Sequence, residues 1–219
     1  MAVPMRWLLA AGVVVIGATV VAAAPQSTPA PTALASLIQH HYDSVKSFTA
    51  DFTHTFKGGL LPQTTVERGN VKIKKPGRMR WTYGPPDQKE FVADGRMLYS
   101  YIKADRTCYV SDIPAGDTVS TAALFLAGKG DLLRDFRATA PPPSSAAEWR
   151  VQLTPTVPQT EFTQLTLGVD PRTLKLVTME TVDADGGVST FRFEHLRENV
   201  SLADREFLFT PPKGVDVIR

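Results

Sequence analysis

The chain has 219 residues, 43% of them hydrophobic, with 24 Lys and Arg against 22 Asp and Glu, a formal net charge of +2, and a single cysteine. A charge balance this close to neutral gives no case for nucleic acid as a partner. One cysteine excludes an intrachain disulfide and any cysteine pair for metal or redox work.

Residues 1–24 read as a secretory signal: Arg6 supplies the positive start, 7–21 is an apolar run, and Ala22-Ala23-Ala24 offers small residues for cleavage. A run of about 15 apolar residues is short for a membrane span. Cleavage is placed among Ala22, Ala23 and Ala24, with Pro25 opposing the last, and the absence of cysteine there argues against a lipoprotein. Losing the segment removes Arg6 and leaves a net charge of +1. Residues 25–32 form a proline-, serine- and threonine-rich stretch with little to bury, expected to be a disordered linker. Residues 33–219 then suit one domain.

Leu34, Leu37, Ile38, His41, Tyr42 and Val45 recur at helical spacing and predict an amphipathic helix over 33–45 that lies against a sheet. From Phe48 the period changes to two, with Phe48, Ala50, Phe52, His54 and Phe56 on one face. A second strand is expected over 64–74. After Lys75-Pro76-Gly77 the alternation resumes, with Met79, Trp81 and Tyr83 on one face and Arg78 and Arg80 on the other. Pro76 and Gly77 suit the central positions of a type II turn. Gly84-Pro85-Pro86 ends that strand, and Asp94-Gly95 predicts a hairpin between 91–93 and 97–101.

A strand over 106–111 holds Cys108, read as a buried inert thiol unless Arg106 on the same face lowers its pKa. Between 118 and 136 the period is helical: Ser120 or Thr121 caps a short helix over 122–127, Gly128 ends it, and Leu132, Leu133 and Phe136 suggest another turn or two. Strands follow over 149–154, 161–169, 174–182 and 188–195, then a short strand at 207–209 before Pro211-Pro212. About ten short strands with one or two helical pieces indicate a mainly β fold, an antiparallel sheet curled into a barrel or half-barrel and covered by helices.

Catalytic constellations are missing. His40 and His41 lie roughly 100° apart on a helix and do not share one metal easily. His54 and His195 stand alone in sequence, no serine has a nucleophile-elbow context, and no phosphate-binding glycine loop occurs. The carboxylates of Asp94, Asp112 and Asp117 sit in turn contexts that favour local backbone hydrogen bonding. Neither an enzyme nor a cofactor is expected.

Several segments together resemble the periplasmic lipoprotein carrier family LolA: Ser47-Phe48-Thr49-Ala50-Asp51-Phe52-Thr53; Gly69-Asn70-Val71 through Lys75-Pro76-Gly77-Arg78-Met79-Arg80-Trp81; Val92-Ala93-Asp94-Gly95; Leu98-Tyr99-Ser100-Tyr101; and the ending from Phe207 to Val215. The resemblance implies an unclosed antiparallel barrel under a small helical lid. It further implies a monomeric periplasmic carrier that takes acylated lipoproteins from an inner-membrane ABC transporter and hands them to a LolB-like acceptor, where one exists, at the outer membrane. By the same resemblance the apolar lining includes Phe48, Phe52, Met79, Trp81, Tyr83 and the lid residues Leu124, Phe125 and Leu126. The family usually places arginine before the turn proline, as a latch to lid carbonyls. Lys75 stands there in this chain, which implies a looser lid, and Met79 stands where the family favours phenylalanine.

Two further readings share this sheet: a carrier of another amphiphile such as a glycolipid, and a structural or sensory domain whose aromatics form a filled core. Lys72, Lys74, Arg78 and Arg80 form either a solvated outer face or a docking surface for a transporter or anionic lipid.

Overall fold

The computed structural model describes residues 27–60, 63–113, 125–143 and 147–219. The signal segment, the first two residues of the expected linker, the helix cap at Ser120 or Thr121, and Leu124 lie outside these, while residues 31 and 32 of that linker belong to the first helix. Helix α1 (Pro31–Ser44) begins two residues before its expected start, with Pro31 in the first turn, where the missing N–H costs nothing. It buries Leu34, Ala35, Ile38 and Tyr42. Leu37, expected on this stripe, is 42% exposed, because the packed face is centred on Leu34, Ile38 and Tyr42 at four-residue steps.

Strands β1 (Ser47–Lys57), β2 (Thr64–Lys74), β3 (Arg78–Tyr83), β4 (Lys89–Asp94), β5 (Met97–Ile102) and β6 (Thr107–Asp112) form an antiparallel meander. The Asp94 carboxylate accepts from the Arg96 and Met97 N–H groups (2.8 and 2.7 Å), which fixes the β4–β5 turn with Gly95 at φ 103°. In the Lys75-Pro76-Gly77 turn the Lys75–Pro76 bond is cis, and Gly77 takes the positive φ (68°) that the second central position requires.

A one-turn helix α2 (Leu132–Asp135) follows, capped by Asp131, whose side chain accepts from Leu133 and Arg134 N–H. Phe136, expected to continue the helix, instead opens β7 (Phe136–Thr139). Then come β8 (Trp149–Pro155), β9 (Gln164–Val169), β10 (Leu176–Val182) and β11 (Val188–Glu198). The tail holds a 3-10 turn (Asp204–Phe207), not the expected strand at 207–209, and ends in β12 (Asp216–Ile218), which pairs parallel with β6.

Among the described residues twelve strands make one sheet in the order β12-β6-β5-β4-β3-β2-β1-β11-β10-β9-β8-β7. Its end strands β12 and β7 are not paired to each other, so the sheet stays an open half-barrel. β11 carries an extra residue opposite β1, where Thr49 faces Arg197 but Asp51 faces Glu194, and His195 takes φ 52° there. Such a bulge bends and twists the strand, which curls the sheet. α1 packs on the concave side near β7 and β8, and the core between them includes Val151, Leu153, Leu165 and Leu167, all fully buried. Cys108 is buried and free, and burial pushes its thiol pKa up, while Arg106 turns away to donate to the Gly214 carbonyl (2.9 Å).

Candidate functional site

Strand pairing assembles a wall of apolar side chains on the concave face. Phe48, Ala50 and Phe52 of β1 lie opposite Ile73, Val71 and Gly69 of β2. These lie opposite Met79, Trp81 and Tyr83 of β3. Gly69 is required by packing: a Cβ there would stand 2.6 Å from the Phe52 ring and 2.1 Å from the Thr82 carbonyl. On the other side of β1, Phe193 faces Phe52 and Phe191 faces His54, and Met179 faces Phe191. The rings interlock at tilted and edge-to-face angles, with Trp81 5.3 Å from both Phe52 and Phe191, and Tyr83 4.9 Å from Phe52.

Over this wall the open sheet leaves a cavity of about 360 Å³. Met79, Trp81, Tyr83, Phe91, Phe191 and Met179 line it among others. Met79, Trp81 and Tyr83, named from the sequence, are thus placed beside this cavity. Phe48 and Phe52 stand behind them as buried support, Phe48 edge-on to Tyr42 of α1 at 6.4 Å. Phe125 and Leu126 belong to a helical turn buried against α1, where the Phe125 ring is 6.3 Å from Tyr42. The contributions of β10 and β11, and of Phe91 and Leu98, were not singled out from the sequence. Alternation within those strands was visible, but which alternate faces the cavity depends on long-range register.

The Phe125 to Gly128 segment is held by the β2–β3 turn. Gly77 N–H donates to the Ala127 carbonyl (2.8 Å), and the Lys75 stem lies against Gly128, leaving no room for a Cβ, which would be 2.9 Å from Lys75 Cδ. The Lys75 ammonium donates to the carbonyl of Tyr42, at the C-terminal end of α1. Burial lowers its pKa, partly opposed by Asp43.

A polar cluster flanks one end of the cavity, where His54 and Ser189 line it. Lys89 Nζ reaches both Glu67 oxygens (2.8 and 2.9 Å) and lies 4.5 Å over the Tyr83 ring. His54 stacks on Phe191 at 4.2 Å, with Nδ1 3.3 Å from Glu67 and Nε2 3.4 Å from Ser189 Oγ. Burial lowers the His54 pKa, Lys89 adds to this and Glu67 opposes it. Burial likewise holds the Tyr83 phenol above the usual range and raises the Glu161 carboxyl at the rim. Among the described residues no three His, Cys, Asp or Glu side chains gather into a metal-holding group.

The basic residues on the convex face engage the chain's own tail. Lys72 pairs with Glu206 (2.8 Å), Lys74 with Asp204 (2.6 Å), and Arg80 donates to the Leu208 carbonyl (3.0 Å), so they hold the chain's own tail over the buried Phe207.

A family model described as outer membrane lipoprotein carrier protein LolA matches residues 43–210. An outer-membrane lipoprotein carrier protein of Cupriavidus pinatubonensis is 32% identical over 195 residues, covering 86% of this chain and 90% of that one. Another, from Ralstonia nicotianae, is 33% identical over 162 residues, 74% of each chain. Among solved structures, an uncharacterized conserved protein from Thermus thermophilus shares the fold at a TM-score of 0.52 and 11% identity, covering 84% of this chain and 98% of that one.

Proposed function

The chain belongs to the LolA family of outer membrane lipoprotein carriers, and on that premise we propose that it is a periplasmic carrier that shelters lipoprotein acyl chains in the cavity of its half-barrel. The observation that carries this reading is the aromatic cavity itself. A space of about 360 Å³ walled by Trp81, Tyr83, Phe91 and Phe191 supports a binding site over a filled core.

Each methylene taken out of water contributes roughly 0.8 kcal/mol, so free acylated protein does not cross an aqueous compartment unaided. In this reading residues 1–24 direct export. An inner-membrane ABC transporter then releases the lipoprotein to Met79, Trp81, Tyr83 and their neighbours, and an outer-membrane acceptor, LolB-like where present, removes it. The Phe125 to Gly128 segment acts as cover. Lys75 and Gly77 hold that cover, Gly77 through its N–H and Lys75 through its stem and its bond to α1.

The test is binding of N-phenyl-1-naphthylamine by the mature protein and its displacement by a triacylated lipopeptide. Fluorescence gain reversed by lipopeptide supports the carrier. No dye uptake means a filled core, and displacement by a glycolipid but not by lipopeptide means another amphiphile is the cargo.

A further inference from the structure

The cavity changes character along its length, and the change follows from strand register. At the end near α1 the row across the sheet is Phe48, Ile73, Met79, Ala93 and Leu98, all apolar. At the other end Glu67 faces His54, while Ser189 faces Phe56 on one side and Thr181 on the other. Glu161 joins this rim from the segment before β9. A chain entering here places its methyl end toward α1 and its head among polar groups.

The charges at that mouth are unsuited to an anion. Among the described residues the cation beside His54 and Tyr83 is Lys89, and it is engaged by both Glu67 oxygens and by the Tyr83 ring. His54 is turned toward Glu67 and Ser189. Glu161 adds a carboxylate with no cation paired to it among the ion pairs of the described residues. A phosphate brought to this rim would lose hydration, find no free cation, and face carboxylates. The hydroxyls of Ser100, Thr181 and Ser189, in contrast, can donate to ester or amide carbonyls.

Resting on the carrier reading, we infer that the mouth formed by Glu67, Lys89, His54 and Glu161 admits acyl chains on an uncharged glyceryl-ester or amide head and turns away anionic phospholipid. The hydrocarbon is the same in both classes, so the apolar wall cannot discriminate between them. Specificity then rests on a repulsive element at the rim.

A matched pair of probes tests this: dioctanoylglycerol and dioctanoyl-phosphatidylglycerol, each displacing N-phenyl-1-naphthylamine from the mature protein at low ionic strength. The neutral lipid should displace at a concentration at least roughly tenfold lower. Because the two probes also differ in hydrophobicity, the decisive quantity is the change in their ratio in variants. Glu161→Lys removes the unpaired carboxylate, and Glu67→Gln frees Lys89 by an independent route. Either should shrink the ratio by roughly tenfold. Equal displacement in the wild-type protein, or a ratio unmoved in both variants, overturns the inference while leaving the carrier intact. Failure of either lipid to displace the dye, together with failure of lipopeptide, removes the carrier reading itself.

Discussion

Trp81 offers the sharpest test of how the cavity wall is built. It is 4% exposed, in ring contact with Phe52, Phe191 and Phe193, and its Nε1–H is buried without a hydrogen-bond partner. Truncating a buried tryptophan to alanine costs about 3–5 kcal/mol, but removing an unsatisfied buried donor returns about 1–3 kcal/mol. The expected net loss for Trp81→Ala is therefore about 2 kcal/mol. Trp81→Phe keeps a ring among the same three neighbours and also removes the orphan donor, so its stability should fall within about 1 kcal/mol of wild type. The assay is urea unfolding followed by far-ultraviolet circular dichroism, since both variants remove the fluorophore at position 81. With a slope of about 2 kcal/mol per molar, the alanine midpoint moves down by about 1 M and the phenylalanine midpoint hardly moves. A phenylalanine variant as unstable as the alanine variant would refute the reasoning, because the indole N–H would then be making an interaction that the wall depends on.

His54→Phe preserves the stack on Phe191 and should flatten the acid side of the stability profile. The folded state disfavours the protonated imidazole, so below about pH 6.5 the unfolded chain binds more protons and stability is lost as the pH drops. Unfolding titrations at pH 7 and pH 5 check this, and an equal loss in variant and wild type contradicts it. In the tail, Phe207→Ala should cost about 3–5 kcal/mol, whereas Glu206→Gln, which weakens a solvent-facing ion pair, should cost under about 1 kcal/mol. Comparable losses in urea unfolding would show that ions and not the buried ring hold the tail. Lys75→Leu removes the donor to the Tyr42 carbonyl while keeping an apolar stem against Gly128, and should lower stability by about 1–2 kcal/mol and speed dye exchange. Unchanged dye exchange would remove Lys75 from the account of the cover.

Much of the meander was legible because local signals agreed with the fold. The alternation through Phe48, Phe52, Met79, Trp81 and Tyr83 needs only the period of a strand, and Asp94-Gly95 needs only turn chemistry. What escaped depended on distant partners. β12 is three residues long and exists through parallel pairing with β6, a contact that no local pattern announces. Phe136 follows a helical turn closely enough to share its period, yet pairs with Pro155 across a strand. The mouth was hidden for another reason: His54 and Glu67 are polar residues on concave positions, so they look like breaks in the apolar pattern until register brings them beside Lys89 and Ser189. The convex lysines and arginines were similarly open to two readings because Asp204 and Glu206 lie 130 or more positions away.

The most direct measurement of the central claim is release of cargo. Mature protein is incubated with spheroplasts whose inner membrane holds radiolabelled, triacylated lipoprotein, and the soluble fraction is sized by gel filtration. The account predicts labelled lipoprotein in a soluble one-to-one complex with this chain, reduced when the cavity wall is truncated at Trp81 and Phe191 together. Label that stays with the membrane, or that appears in solution without this chain bound to it, would contradict it.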